Sequence, residues 1–217
     1  MFTTRVTVEL LRPVPLTPLE ARARWERPGK RVQLVGASLM ADAVEVARAT
    51  GLRIRRGTLT LPEPLQPPLP LPRPHTVGRD RADREPSSVH AVVFHRVAVE
   101  HRVVEGGFEQ RGPAIDWIRV RHPLVAGEPT SGLCRAMMAA DFGSGLSIGL
   151  DRNEGYTFIN ADLTVYLHRE PESEWVCVDA RSEVSPLSLG VTESRLWDEQ
   201  GVIGRSLQTL LIDRRPV

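Results

Sequence analysis

Apolar and polar side chains alternate with a two-residue period over much of this chain, the mark of strands with one covered face. Val6, Val8 and Leu10 alternate with Arg5, Thr7 and Glu9, and Ala21, Ala23 and Trp25 alternate with Arg22, Arg24 and Glu26. Two further strand-like runs, 31–40 and 44–55, follow turn residues at Pro28-Gly29 and Ala41-Asp42. A proline-dense and then charged stretch, 62–86, can neither pair as a central strand nor continue a helix. Beyond it, the pattern predicts strands at 97–104 and 117–122, a helix over about 130–141, and strands at 156–168, 175–184, 189–197 and 202–212.

Shifted by 157 residues, Val6–Pro13 falls on Leu163–Glu170. Without a gap, Arg24 then meets Arg181, Glu26 meets Glu183, Arg48 meets Arg205 and Ile54 meets Leu211, with strands and apolar phase in step. The chain therefore reads as two repeats: 1–58 a partial N-terminal one made of strands only, 59–87 a proline-rich linker, and 88–217 a complete C-terminal domain. The first copy is expected to lack the opening strands and helix of the second, either by a shortened N-terminus or by degeneration.

The predicted helix lies in PTSGLCRAMMAADFGSG, where Leu133, Cys134, Ala136, Met137, Met138, Ala139 and Ala140 cover nearly every face. Such a pattern predicts a helix buried on all sides and wrapped by a curved antiparallel sheet, with the two methionines as core filler. Asp141 breaks it. It falls in the last helical turn, before the stop signals Gly143 and Gly145, where the negative end of the helix dipole disfavours a carboxylate by about 0.3–1 kcal/mol. A carboxylate in that position is either a functional group or a solvated cap.

Composition adds few constraints. The 217 residues are 41% hydrophobic and 25% charged, and the formal net charge of +1 offers no broad footprint for nucleic acid or an anionic membrane. No apolar run reaches the roughly 20 residues of a membrane helix, and the N-terminus has no signal-peptide core. Cys134 and Cys177 have no metal-type spacing and read as buried, reduced thiols of a cytoplasmic protein.

Three stretches, MMAADFGSGLS, FINADLTVYLHR and GVIGRSLQTLLIDRRP, resemble the acyl-CoA thioesterases of the type II, double hot-dog kind. The resemblance implies an α+β hot-dog fold, an antiparallel sheet wrapped around a central helix, with the first repeat incomplete. It implies a catalytic site at Asp141, Asn160 and Gln208, with Asn160 standing where the family usually has threonine. Asp162, His168 and Arg169 match the structural frame of the family's strand motif. In the first repeat, Thr3 and Gly51 occupy the places of Asn160 and Gln208, so that copy has no site of its own. The implied activity, within lipid metabolism, is hydrolysis of acyl-CoA by a water that Asp141 activates and the two amides orient, with no cofactor or metal. Gly132, near the helix start, would let substrate approach backbone N–H groups able to hold an oxyanion. A homodimer is the expected assembly. The alternative is a non-catalytic acyl-CoA-binding or structural homologue.

On the strand 156–168, alternation puts Asn160 on one face with Phe158, Asp162, Thr164 and Tyr166, and puts Ile159, Ala161, Leu163, Val165 and Leu167 on the other. Gln208 shares its face with Gly204, Ser206, Leu210 and Ile212, an amide that needs partners if buried. Rival motifs fare less well. Residues 145–149 satisfy G-x-S-x-G, but that pattern needs a strand before it and a helix after it, the reverse of the order expected here. Of six histidines only His95 and His101 could share a strand face, without a third ligand. Enoyl-thioester hydration calls for an Asp–His pair close in sequence, which Asp141 lacks.

Overall fold

In a computed structural model, residues 1–60, 71–77, 97–108, 110–150 and 154–214 of the chain are described. Four strands, β1 (Phe2–Leu10), β2 (Leu19–Arg27), β3 (Val32–Ala41) and β4 (Val44–Ile54), come first. They are followed by β5 (Val99–Glu105), β6 (Ala114–Val120), helices α1 (Gly132–Ala140) and α2 (Gly143–Ser147), β7 (Tyr156–Asn160), β8 (Asp162–Leu167), β9 (Val176–Ser185), β10 (Leu189–Asp198) and β11 (Gly201–Arg214). All pair antiparallel in one sheet, in the order β2-β3-β4-β1-β8-β11-β10-β9-β6-β5, with β7 also on β11.

The two repeats meet at the seam between β1 and β8. Thr7 faces Thr164 across it, and the Thr164 hydroxyl donates to that of Thr7 at 3.1 Å over a separation of 157 residues. The shift read from the sequence thus equals the spacing of the residues on the local two-fold axis. The same shift carries β3 onto β10 end for end. One continuous sheet is the consequence, because each repeat supplies its edge strand to the other.

The C-terminal half of the sheet curves over α1. Ala136, Ala139 and Ala140 pack against Leu163, Val165, Val178, Ala180 and Leu196, all buried. Leu133, Cys134, Arg135, Met137 and Met138 of the helix are half-buried. The expected all-round burial is therefore corrected: one stripe of small residues lets the helix lie close on the sheet, while the other side keeps some solvent access. Cys134 is half-buried and Cys177 buried, both free thiols.

Other boundaries differ for local reasons. Strand β6 begins at Ala114 because its inward Asp116, which interrupts the apolar pattern, is held by His101 of β5 at 2.6 Å. The expected strand 156–168 is two strands. Between the pairs Leu210↔Asn160 and Leu207↔Thr164 the register slips by one residue, a bulge at Ala161. Asp162 secures it by accepting from both the backbone N–H and the hydroxyl of Thr209. Most of the linker 59–87 lies outside the described residues, as does His95. The part that is described, 71–77, lies against the outer sheet face, where Pro72 accepts from the Trp117 indole at 2.9 Å. Among the described residues no helix is long and apolar enough to cross a membrane.

Arg169 ties the end of the sheet together. Its guanidinium forks onto the fully buried carboxylate of Asp198, which also accepts N–H bonds from Glu172, Gln200 and Gly201. Burial raises the Asp198 pKa, but the guanidinium and these N–H groups outweigh it and hold the carboxyl below the ordinary carboxylate value. A depressed folded-state pKa stabilises the fold above the unfolded value and is lost as pH falls through the folded one. Arg169→Ala leaves a buried charge without its cation, and denaturant unfolding at neutral pH should show a loss of about 3 kcal/mol. The loss should shrink on acidification as Asp198 becomes protonated.

Candidate active site

Helix α1 ends at Asp141, whose N–H still bonds the Met137 carbonyl, and the chain turns at once into α2. Strand β11 passes beneath this junction with Ser206, Gln208 and Leu210 pointing inward, all buried. The Oε1 of Gln208 accepts from the N–H of Ser144 in α2 at 3.1 Å. That bond orients the amide and turns its Nε2 toward Asp141, where it lies 3.3 Å from Oδ1 and 3.3 Å from the backbone carbonyl. Gln208 is satisfied at both ends.

Asn160 reaches the same oxygen from β7, its Nδ2 donating to Asp141 Oδ1 at 2.9 Å. It does so because of the bulge at Ala161. Uninterrupted alternation would have placed Asn160 with Thr164 and Tyr166, away from the helix. Instead Ile159 and Ala161 are exposed, and Asn160 and Phe158 turn inward on the helix side with Leu163. The expected grouping of faces is thus overturned by one inserted residue.

Asp141 is exposed at the surface of this junction, yet neighbouring protein atoms partly desolvate its carboxyl. This desolvation pushes its pKa above the ordinary aspartate value, and the Asn160 hydrogen bond opposes the rise. Both amides converge on Oδ1. Among the described residues, Oδ2 has no hydrogen-bonding partner and is free to accept a proton from water.

Gly132 does not join the cluster. It lies at the opposite end of α1, about 13 Å of helical rise away. A Cβ there would come within 2.9 Å of the Pro171 carbonyl. Its missing side chain makes room for Pro171.

Sequence reasoning missed the layer behind the site. Ser147, the serine of G-x-S-x-G, is buried in α2; its Oγ donates to the Gly143 carbonyl and lies 2.8 Å from Ser182 Oγ, which in turn contacts Thr192 Oγ1 at 2.6 Å. A serine so enclosed is a structural member of a polar core, and no strand–turn–helix elbow surrounds it. His101, paired with Asp116, packs edge-on against Phe108 and Phe142 at 5.3 and 5.1 Å, one residue from Asp141. A polar residue at an inward position on each strand of the β5–β6 hairpin was the available signal. His168 and Arg169 belong to the sheet end, and burial with the adjacent Arg169 charge lowers the His168 pKa.

Residues 67–212 match the family model of the acyl-CoA thioesterase C-terminal domain, and residues 2–54 match that of the N-terminal domain. The chain belongs to the acyl-CoA thioesterase family. It shares its fold with a conserved hot-dog protein of unknown function from Alicyclobacillus acidocaldarius, at a TM-score of 0.72 and 18% identity, covering 100% of this chain and 80% of that one. It is likewise similar to an acyl-CoA thioesterase II from Mycobacterium marinum, at a TM-score of 0.65 and 13% identity, covering 99% and 81%. No sequence match to a curated protein was found. The architecture is the hot-dog fold, as the sequence resemblance implied.

Gly143 sets the depth of the site. A Cβ there would lie 2.6 Å from Ser194 Oγ and 3.2 Å from Gln208 Oε1. Gly143→Ala should therefore cost about 1–3 kcal/mol of unfolding free energy through overpacking. Adding Ser194→Ala, which removes the obstructing hydroxyl, should recover most of that loss in the same denaturant titration.

Proposed function

We propose that this chain hydrolyses acyl-CoA thioesters to the free carboxylic acid and coenzyme A, using a water activated by Asp141. The observation that carries the reading is the convergence of two side-chain amides on Oδ1 of one desolvated carboxylate whose other oxygen is free. Membership of the acyl-CoA thioesterase family supports thioester hydrolysis in general, and the contacts among Asp141, Asn160 and Gln208 support the choice of residues.

Asp141 Oδ2 takes a proton from water as the water oxygen attacks the thioester carbonyl carbon. The tetrahedral adduct collapses with cleavage of the carbon–sulfur bond, and the proton held by Asp141 passes to the departing thiolate. Asn160 and Gln208 hold the carboxylate in one orientation, and the second N–H of Asn160 is available to steer the water. A raised pKa suits the role, because a more basic carboxylate drives proton abstraction more strongly.

Asp141→Asn should lower kcat about 10²–10⁴-fold in a thiol-release assay on a panel of acyl-CoAs, with near-native stability. Full activity in that variant would remove Asp141 from the mechanism, and no turnover by the native chain at any acyl length would favour a non-catalytic acyl-CoA-binding protein. The pH profile provides a separate measurement. Only the ionised carboxylate is active, so kcat/KM should fall on acidification through the raised Asp141 pKa. Asn160→Ala removes the bond that lowers this pKa, and the acid limb should therefore move to higher pH. A shift to lower pH would contradict the assignment.

A further inference from the structure

We propose that the outer face of the sheet, opposite the candidate active site, carries a second binding site for an amphiphilic carboxylate, an apolar chain ending in a single carboxyl group. A groove of about 670 Å³ runs over β4, β1, β8, β11 and β10 on this side. That volume falls in the range of small-molecule sites rather than protein interfaces. Alternation along β11 separates it from the other site: Ser206 and Gln208 point inward, while Arg205 and Leu207 are exposed on the outer side.

One cross-strand row carries the argument. Leu52, Arg5, Tyr166, Arg205 and Arg195 are successive partners from β4 to β10. Arg205 lies directly opposite Arg195, an arrangement that is destabilising unless an anion sits between the charges. Among the described residues none of these three arginines forms an ion pair, and the buried Nε atoms of Arg5 and Arg195 have no hydrogen-bonding partner. Arg195 is held by stacking on the Trp197 ring at 4.5 Å, which fixes one guanidinium in advance. Leu52 and Tyr166 in the row and Leu207 beside it give the groove apolar walls, with Tyr166 51% and Leu207 46% exposed.

Charge and walls together select the occupant. Two arginines at directly opposed cross-strand positions can take a planar carboxylate between them through forked hydrogen bonds, and the apolar walls accept its chain. Glu193 lines the same groove and Asp179 faces Arg195 from β9, so the positive excess suits a monoanion better than a dianionic phosphate head. The inference stands whether or not the chain hydrolyses thioesters.

The test is titration of the whole chain with dodecanoate, 1-dodecanol and dodecyl phosphate, each below its aggregation limit, by calorimetry and by tryptophan fluorescence from Trp197. Dodecanoate should bind saturably at one site, at least tenfold more tightly than dodecanol. Arg195→Gln with Arg205→Gln should weaken dodecanoate at least tenfold and leave dodecanol unchanged, whereas Asp141→Asn should leave both unchanged. Arg205→Gln alone, at an exposed position, serves if the double variant does not fold. Equal binding by native and arginine variants, or binding lost only in Asp141→Asn, overturns the proposal. So does tighter binding of dodecyl phosphate. A native dimer that dissociates in Leu207→Asp, with no dodecanoate binding by either protein, gives the groove to a second copy and overturns it equally.

Discussion

A buried amide must be paired at both ends, and at Gln208 that requirement organises the whole junction. Its oxygen takes the N–H of Ser144, which fixes the amide's orientation and leaves its nitrogen facing Asp141. Leaving either end unpaired would cost about 1–3 kcal/mol, so the position of α2 and the angle at which α1 ends are coupled to one side chain on β11. The absence of a Cβ at Gly143 permits the approach. The carboxylate that emerges is oriented from two sides and remains open on a third.

The polar layer behind it has a consistent role. Ser147, Ser182 and Thr192 satisfy one another between α2 and the sheet, so the helix that orients Gln208 is itself anchored by hydrogen bonds as well as by packing. His101 and Asp116 do the same on the neighbouring strands, and Phe142 links that pair to the end of α1. Networks of this kind hold a single arrangement because each member left alone would be costly.

The two faces of the sheet do different work. Inward positions of β7–β11 contribute to the core and the candidate site. Outward positions split between a region covered by residues 71–77 over Trp117 and Trp197, and the arginine-rich groove beside it. Because strand alternation is unbroken from Gly204 to Ile212 of β11, neither face there can borrow a residue from the other.

The strands, their repeat at 157 residues and the helix-terminal Asp141 could be read directly from the chain, because alternation and helical spacing are local properties of sequence. The repeat even locates the two-fold axis, since Thr7 and Thr164 are equivalent in sequence and opposed in space. Asn160 and Gln208 entered by family resemblance. Alternation alone placed Gln208 on the right face and Asn160 on the wrong one. The bulge at Ala161, the partners of Gln208 and the pairing of His101 with Asp116 depended on which strands lie side by side. A register slip has no local signature, since it is decided by the neighbouring strand and by Asp162 taking up the backbone group that the slip leaves free. Gly132 makes the same point from the other direction: a glycine's reason for being small is whatever packs against it, and only the folded chain brings Pro171 there.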